Sequence, residues 1–356
     1  MKRKIYLDNI RWATVVLVLI YHVFYYFNAQ GVLGGFEPFS QVQYQDAVLY
    51  FVYPWFMVLL FLIAGMSARY ALQKRSDKEF FKERTMKLLV PSTLGLFVFY
   101  WILGYFNVRI GGGMEWMPAD MPRLMLYLIC VPSGIGPLWF VQMLWIFSGL
   151  LLILRKIDKK DRIYQCFQRL NAWTALLFLP LIWASAQVLN TPVITVYRFG
   201  IYFTAFLLGY YVFSHEALQD SLEKQAVPFG VAAVLLGIVY TWYYFGTNYA
   251  EDACLKSLFT AVYLWIAVLA VLGCGKRWFN MDNQLCRFMT RQSSGIYMLH
   301  CLVMTPVCWG LRYPLGLPAA AVYILGALLT FVLSIVLNEI LSRIPVVRFL
   351  VLGKRK

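Results

Sequence analysis

The stretch DNIRWATVVLVLIYHVFYYF, residues 8–27, is apolar and long enough to cross a bilayer as a helix. It carries two ionisable side chains, Arg11 near its start and His22 eleven residues later. At about 100° and 1.5 Å per residue, an α-helix places both side chains on nearly the same face, roughly 16 Å apart along its axis. Ionisable groups at such depth are costly and tend to line functional cavities. The stretch therefore predicts a membrane helix with a cation at the bilayer surface and an imidazole near mid-bilayer.

The composition extends this prediction to the whole chain. Of its 356 residues, 61% are hydrophobic, 18% aromatic and 14% charged, and the mean hydropathy is +0.64. These values lie outside the range of soluble globular proteins. Apolar runs of about 20 residues predict ten membrane helices. Their ranges are 12–28, 47–71, 88–106, 136–154, 172–189, 197–213, 227–246, 256–273, 293–311 and 319–341. We expect an all-α bundle of about ten transmembrane helices, in a single domain over residues 1–356.

The basic residues predict the orientation of this bundle, since Lys and Arg concentrate in cytoplasmic loops. If the amino terminus is cytoplasmic, 27 of the 32 Lys and Arg residues fall in cytoplasmic segments. Ten helices then leave both termini cytoplasmic. The net charge of +15 would suggest a nucleic-acid partner in a soluble protein. Here it reflects orientation and attraction to anionic membrane lipids, and no nucleic-acid partner is expected.

Two further features limit where chemistry can occur. The seven cysteines are scattered without a CxxC pair, so we predict no metal site. The connection over 107–135 is rich in Gly and Pro, and its apolar middle, 124–131, is too short to span a bilayer. This middle segment predicts a re-entrant or interfacial piece.

A series of motifs follows Arg11 and His22 along the chain. In order they are YLDNIR (6–11), FLIAGMSARYAL (61–72), FFKERTMKLLVP (80–91), PLWFVQML (137–144), GIYMLHCL (295–302) and RIPVVRFLVLG (343–353). Together they resemble the membrane-bound acyltransferase family 3. The loops and spacing are most similar to the branch that includes glucan succinyltransferases. One departure is the pair Arg84 and Lys87, where an arginine pair is more typical.

The resemblance implies an O-acyltransferase that takes an acetyl or succinyl group from cytoplasmic acyl-coenzyme A. The acceptor would be a hydroxyl of a carbohydrate or lipid-linked sugar destined for the cell envelope. Such a protein would lie in the inner (plasma) membrane, and O-acetylation of a polysaccharide would be one outcome. No metal cofactor is implied.

Particular residues match this reaction. Arg11 at the inner surface suits the phosphates of coenzyme A, with His22 deeper on the same face as general base or acyl carrier. His300, at a similar predicted depth, would orient the acceptor or stabilise the oxyanion. Further donor-binding cations are Arg84, Lys87 and Arg69. Asp8, three residues before Arg11, is expected to pair with it and hold the guanidinium in place.

Several alternatives stay open at this point. A transporter of a small metabolite also has many helices and polar groups at mid-depth, although no internal repeat is visible. His300 could instead be a buried histidine bonded to neighbouring backbone. Glu339, four residues before Arg343, has the spacing of a local ion pair. His215 is expected in a solvated loop.

Overall fold

The computed structural model describes residues 4–30, 35–191 and 197–354. In chain order the helices are α1 (Ile5–Tyr26), α2 (Tyr44–Leu72), α3 (Asp77–Ile110), α4 (Arg123–Ser133), α5 (Leu138–Ile157), α6 (Arg162–Cys166), α7 (Thr174–Ala186), α8 (Phe199–Phe213), α9 (Glu216–Lys224), α10 (Ala226–Tyr244), α11 (Asp252–Leu255), α12 (Leu258–Trp278), α13 (Gln284–Arg312), α14 (Ala319–Arg343) and α15 (Pro345–Leu352). Within the described ranges the β-structure is limited to one isolated bridge, between Asn190 and Arg198.

The all-α membrane fold predicted from the sequence is confirmed. Eight helices of the described chain are long and apolar enough to cross a membrane: α1, α2, α3, α5, α10, α12, α13 and α14. The spans predicted at 172–189 and 197–213 are present as α7 and α8, but both are shorter than 18 residues. α7 begins with a 3₁₀ segment, Thr174–Phe178, which rises about 2.0 Å per residue and covers more length than an α-helix of equal size. The side on which the termini lie stays a prediction.

Helix α4 coincides with the apolar middle of the long connection. Its 11 residues reach only about 16 Å, roughly half of the hydrocarbon thickness. The predicted non-spanning segment is therefore present as a short helix.

The chain divides into two compact units. The first comprises Met1–Thr14, Ala47–Lys82 and Ile146–Thr290, and the second comprises Val15–Asp46, Glu83–Trp145 and Arg291–Lys356. The prediction of a single domain over residues 1–356 stays a prediction.

In the first unit, α2 and α8 cross at backbone contact. A Cβ added to Gly65 would overlap the carbonyl of Phe206, and one added to Gly209 would overlap that of Leu62. Small residues at helix crossings are the usual way in which membrane helices approach closely. Phe61, fully buried beside the crossing, stacks on Tyr202.

In the second unit, α3 and α4 cross in the same way at Gly104 and Gly134. Helix α15 also packs against α3, and the Tyr100 hydroxyl donates to the carbonyl of Val351 at 3.2 Å. Gly353 ends α15 with a left-handed φ of 63°, which favours glycine, and lies against the backbone of Lys87. The carboxyl-terminal segment is thus seated on α3.

Candidate active site

Two histidines of the second unit lie side by side. His22 comes from α1 and His300 from α13, and their ring centroids are 4.9 Å apart at an interplanar angle of 62°. The Nε2 atom of His300 lies 3.3 Å from the Nδ1 atom of His22. His300 is almost fully buried, whereas His22 keeps part of its surface accessible. The structure thus brings together two of the predicted site residues, 278 positions apart in the chain.

Backbone carbonyls determine which nitrogen of each ring carries the proton. The Nδ1 atom of His22 lies 2.7 Å from the Val18 carbonyl, and that of His300 lies 2.7 Å from the Tyr297 carbonyl. Because a carbonyl only accepts, each neutral ring is assigned as protonated at Nδ1, with a lone pair on Nε2. The Nδ1–H of His22 is then shared between Val18 and the lone pair of His300. Within the described part of the chain, no hydrogen bond occupies the Nε2 atom of His22, so this atom is available as a base.

Aromatic rings and one thiol surround the pair. Tyr21 and Tyr25 present their rings edge-on to His22 at centroid distances of 5.2 and 5.8 Å. The thiol of Cys301 completes a group with the two imidazoles whose possible ligand atoms all lie within 4.8 Å of one another. Two imidazoles and a thiol are donors that zinc and other soft metal ions accept. Sequence spacing did not reveal this cluster, because His22 is remote in the chain from His300 and Cys301.

Arg11 lies in the first unit, near the start of α1, and two neighbours hold its guanidinium. Its Nη1 donates to Asp8 at 3.1 Å, and its Nη2 donates to the hydroxyl of Ser67 at 2.6 Å. The predicted ion pair between Asp8 and Arg11 is therefore present. Ser67 itself donates to the Ile63 carbonyl at 2.8 Å, so its oxygen is fixed to face the arginine. The guanidinium is only half-buried.

Arg69, also in the first unit, forms an ion pair and a ring contact with other residues of the protein. Both terminal nitrogens bond the carboxylate of Asp161, one of them at 2.9 Å. The guanidinium carbon lies 3.7 Å from the ring centroid of Tyr164. A forked ion pair stacked on an aromatic ring leaves little capacity for a phosphate. The structure gives the predicted donor-binding role of Arg69 no support.

Arg84 and Lys87 lie in the second unit, where α3 changes its winding. Thr85–Leu89 has π-helical hydrogen bonds, so the α-helical angle expected between the two cations does not apply. Lys87 donates to Glu83 at 2.6 Å and remains largely exposed. Its charge is accessible at the surface, beside Gly353.

Two predictions about polar residues are wrong. Glu339 forms no ion pair with Arg343 in the structure and instead accepts a hydrogen bond from Gln292. His215 is 7% exposed, and its ring stacks on Tyr164 at 3.8 Å. In both cases the preferred partner comes from a distant part of the chain, which local spacing does not show.

Comparison with protein-family models identifies the family of this chain. A family model described as "Acyltransferase domain" matches residues 4–339, a range that contains both histidines of the site. Neither a curated protein nor a solved structure gives a match. Because the family match covers nearly the whole chain and the helices are those of a multi-pass membrane protein, the chain belongs to the membrane-bound acyltransferase family 3.

Proposed function

We propose that this membrane acyltransferase moves an acetyl or succinyl group from cytoplasmic acyl-coenzyme A to a hydroxyl of an envelope carbohydrate or lipid-linked sugar. The inner (plasma) membrane is the proposed location, because both substrates meet there. The choice between acetyl and succinyl, and the assignment to the glucan succinyltransferase branch, stay predictions.

One observation carries the proposal: His22 has its Nδ1–H held by Val18 and His300 while its Nε2 stays available. A general base needs this arrangement, since one nitrogen must accept a proton while the other is fixed. The same nitrogen could carry an acyl group, which the experiment below distinguishes.

The proposed reaction is a single acyl transfer. The acceptor oxygen attacks the thioester carbon while its proton passes to Nε2 of His22. The carbon–sulfur bond then breaks, and the leaving thiolate takes that proton to become free coenzyme A. The products are an ester and a thiol, and His22 returns to its neutral form. His300 acts here through His22, as a positioning residue.

Cationic side chains support the choice of a polyphosphate donor. The Arg11 guanidinium is only half-buried, and Arg11 precedes His22 on the same helix. Arg84 and Lys87 provide positive charge at the surface of the second unit. We propose these three as donor-binding residues and give Arg69 a structural role. The transporter alternative receives no support from the fold or from the family.

The test is transfer and hydrolysis of radiolabelled acetyl- and succinyl-coenzyme A by the purified protein in nanodiscs. We expect His22→Ala to lower turnover about 100- to 10,000-fold. His215→Gln serves as the matched control, because it removes a histidine from outside the site. Label retained on wild-type protein after gel filtration, and absent from His22→Ala, would identify an acyl-histidine route. Unchanged turnover in His22→Ala would refute the proposed role of this residue.

A further inference from the structure

Helix α14 carries a line of polar side chains on its buried face. Thr330, Ser334 and Asn338 follow one another at four-residue spacing, with exposures of 0%, 0% and 2%. The outward face of the same helix is apolar, with Leu328 and Val332 among its most exposed side chains. This distribution is the reverse of that in a soluble surface helix. Ser, Thr and Asn side chains on the interior face of a membrane helix usually hydrogen-bond to a neighbouring helix.

The two hydroxyls of this line, like that of Thr241 in α10, lack a hydrogen-bond partner among the described residues. Serine and threonine in a helix commonly donate to the carbonyl four residues earlier. Thr14, Thr93 and Ser133 do so, at 2.7, 2.6 and 2.9 Å. Thr330 and Ser334 are fully buried, and among the described residues their hydroxyls have no hydrogen-bond partner. Two unpartnered hydroxyls on one face, one turn apart, indicate a site for a polar ligand.

Contacts with α13 place this line relative to His300. Asn338 bonds Gln292 and fits against Gly295, where any Cβ would overlap its amide. A little over three turns along the pair, a Cβ on Gly326 would lie 3.2 Å from the sulfur of Cys308. The two contacts fix an antiparallel register in which Ser334 is about level with His300, and Thr330 lies one turn further.

The opposite end of the line is positively charged. Lys354 donates to Asn338 at 3.1 Å and to the hydroxyl of Ser342 at 3.3 Å. Its ammonium is part-buried, and burial, with the nearby charges of Arg291 and Arg348, lowers the pKa of Lys354. The charge of Glu339 acts in the opposite direction and raises this pKa. The preceding residue, Gly353, lies against Lys87, so several cations converge where the polar line begins.

We infer that the line Thr330–Ser334–Asn338, with Lys354 at its mouth, binds the pantetheine arm of the acyl-coenzyme A donor. This inference rests on the proposed function. Between its phosphate and its thioester the arm has two amides and a hydroxyl. Lys354 would contact the phosphate, and the Asn338 amide would contact the nearer part of the arm. Ser334 and Thr330 would bond the part next to the thioester, beside the histidine pair. Asn338 and Thr330 are eight residues apart, about 12 Å along the helix, which suits an extended arm.

The test compares the binding of two probes, coenzyme A and pantetheine, to wild type and variants in nanodiscs. Thr330→Val and Ser334→Ala are expected to weaken both probes, by about fivefold for each hydrogen bond lost. Lys354→Gln is expected to weaken coenzyme A and leave pantetheine unchanged. Thr93→Val, whose hydroxyl is bonded within its own helix, is the matched control and should change neither.

Stability separates these effects from misfolding. Thr330→Val and Ser334→Ala remove buried hydroxyls without partners, so their thermal midpoints should equal or exceed that of wild type. If wild type binds coenzyme A and the hydroxyl variants bind both probes equally well, the inference is overturned and the proposed function stands. The line would then be a hydrated polar seam. If wild type binds neither probe, the proposed donor fails as well.

Discussion

The Nε2 atom of His300 lies 3.3 Å from the Nδ1 atom of His22, so one imidazole accepts the N–H of the other. When His22 takes a proton on its free nitrogen, this N–H belongs to a cation and becomes a stronger donor. His300 and the Val18 carbonyl therefore stabilise the charged form of His22 at the moment of transfer. In the serine hydrolases a carboxylate accepts the N–H of the catalytic histidine, and here the neutral imidazole of His300 accepts the N–H of His22.

Replacement of His300 should lower kcat more than it changes KM. His300→Leu removes an acceptor from a charged donor, and we expect a loss of about 10- to 100-fold in kcat. His300→Gln keeps an amide oxygen as acceptor and should retain more activity. Steady-state kinetics with the labelled donor measures both. An equal loss in the two variants would contradict the positioning role.

Soft divalent cations should inhibit the enzyme. Cd²⁺ would bind His22, His300 and Cys301, whose possible ligand atoms lie within 4.8 Å of one another, and would thereby hold the His22 ring in a complex that cannot take part in proton transfer. Inhibition should be reversed by a chelator and lost in Cys301→Ser. Cys286→Ser, which changes another buried cysteine of α13, is the control. A thiolate charge-transfer band with Co²⁺ reports binding independently of activity, and its absence from wild type would refute the cluster.

Loss of the Ser67 hydroxyl should weaken donor binding. Ser67→Ala removes the 2.6 Å hydrogen bond that holds Arg11, so KM for acyl-coenzyme A should rise about tenfold at little change in kcat. Ser133→Ala, a hydroxyl bonded within its own helix, is the control. A fall in kcat with constant KM would place Arg11 in the chemical step instead.

Asp161→Asn should lower stability without affecting the donor. The change removes the charge from the forked pair with Arg69, while asparagine still tolerates the left-handed φ of 54°. Since Asp161 is partly exposed, we expect a loss of about 1–2 kcal/mol, seen as a lower thermal midpoint. Asp282→Asn, in a more exposed pair, should have little effect. A raised KM for acyl-coenzyme A in Asp161→Asn would instead support a donor-binding role for Arg69.

Mild acid should destabilise the protein through His215. Burial lowers the pKa of His215 below the ordinary 6.5, and its Nε2–H donates to the Tyr164 carbonyl. The unfolded chain therefore binds a proton at higher pH than the folded chain. The contribution to stability is complete above pH 6.5 and declines as the pH falls through this value. Thermal unfolding between about pH 5.5 and 7.5 should show a smaller pH dependence in His215→Gln.

Most of the fold could be predicted from the sequence, because membrane helices are set by local hydropathy. The eight long helices overlap predicted spans. The helices α7 and α8 are shorter than the predicted spans 172–189 and 197–213, and they include a 3₁₀ segment, Thr174–Phe178, and a π segment, Gly209–Phe213. The pair of Arg11 with Asp8 was likewise visible as a three-residue spacing.

The site itself required tertiary contacts. No local pattern shows that Glu339 accepts a hydrogen bond from Gln292 and does not pair with Arg343. Nor does a local pattern show that Arg69 pairs with Asp161, which leaves it little capacity for a ligand. The polar line of α14 is visible in the sequence itself, since Thr330, Ser334 and Asn338 interrupt an apolar run at regular helical spacing.

The polar face of α14 also constrains how the protein is assembled. A lone helix with three polar side chains along one face, among them Asn338, is a poor candidate for release into lipid. Its partner α13 is already synthesised, joined to it through residues 313–318, and offers Gln292 to Asn338. The two helices are therefore expected to leave the insertion machinery as one hairpin, with the amide pair formed before lipid surrounds them.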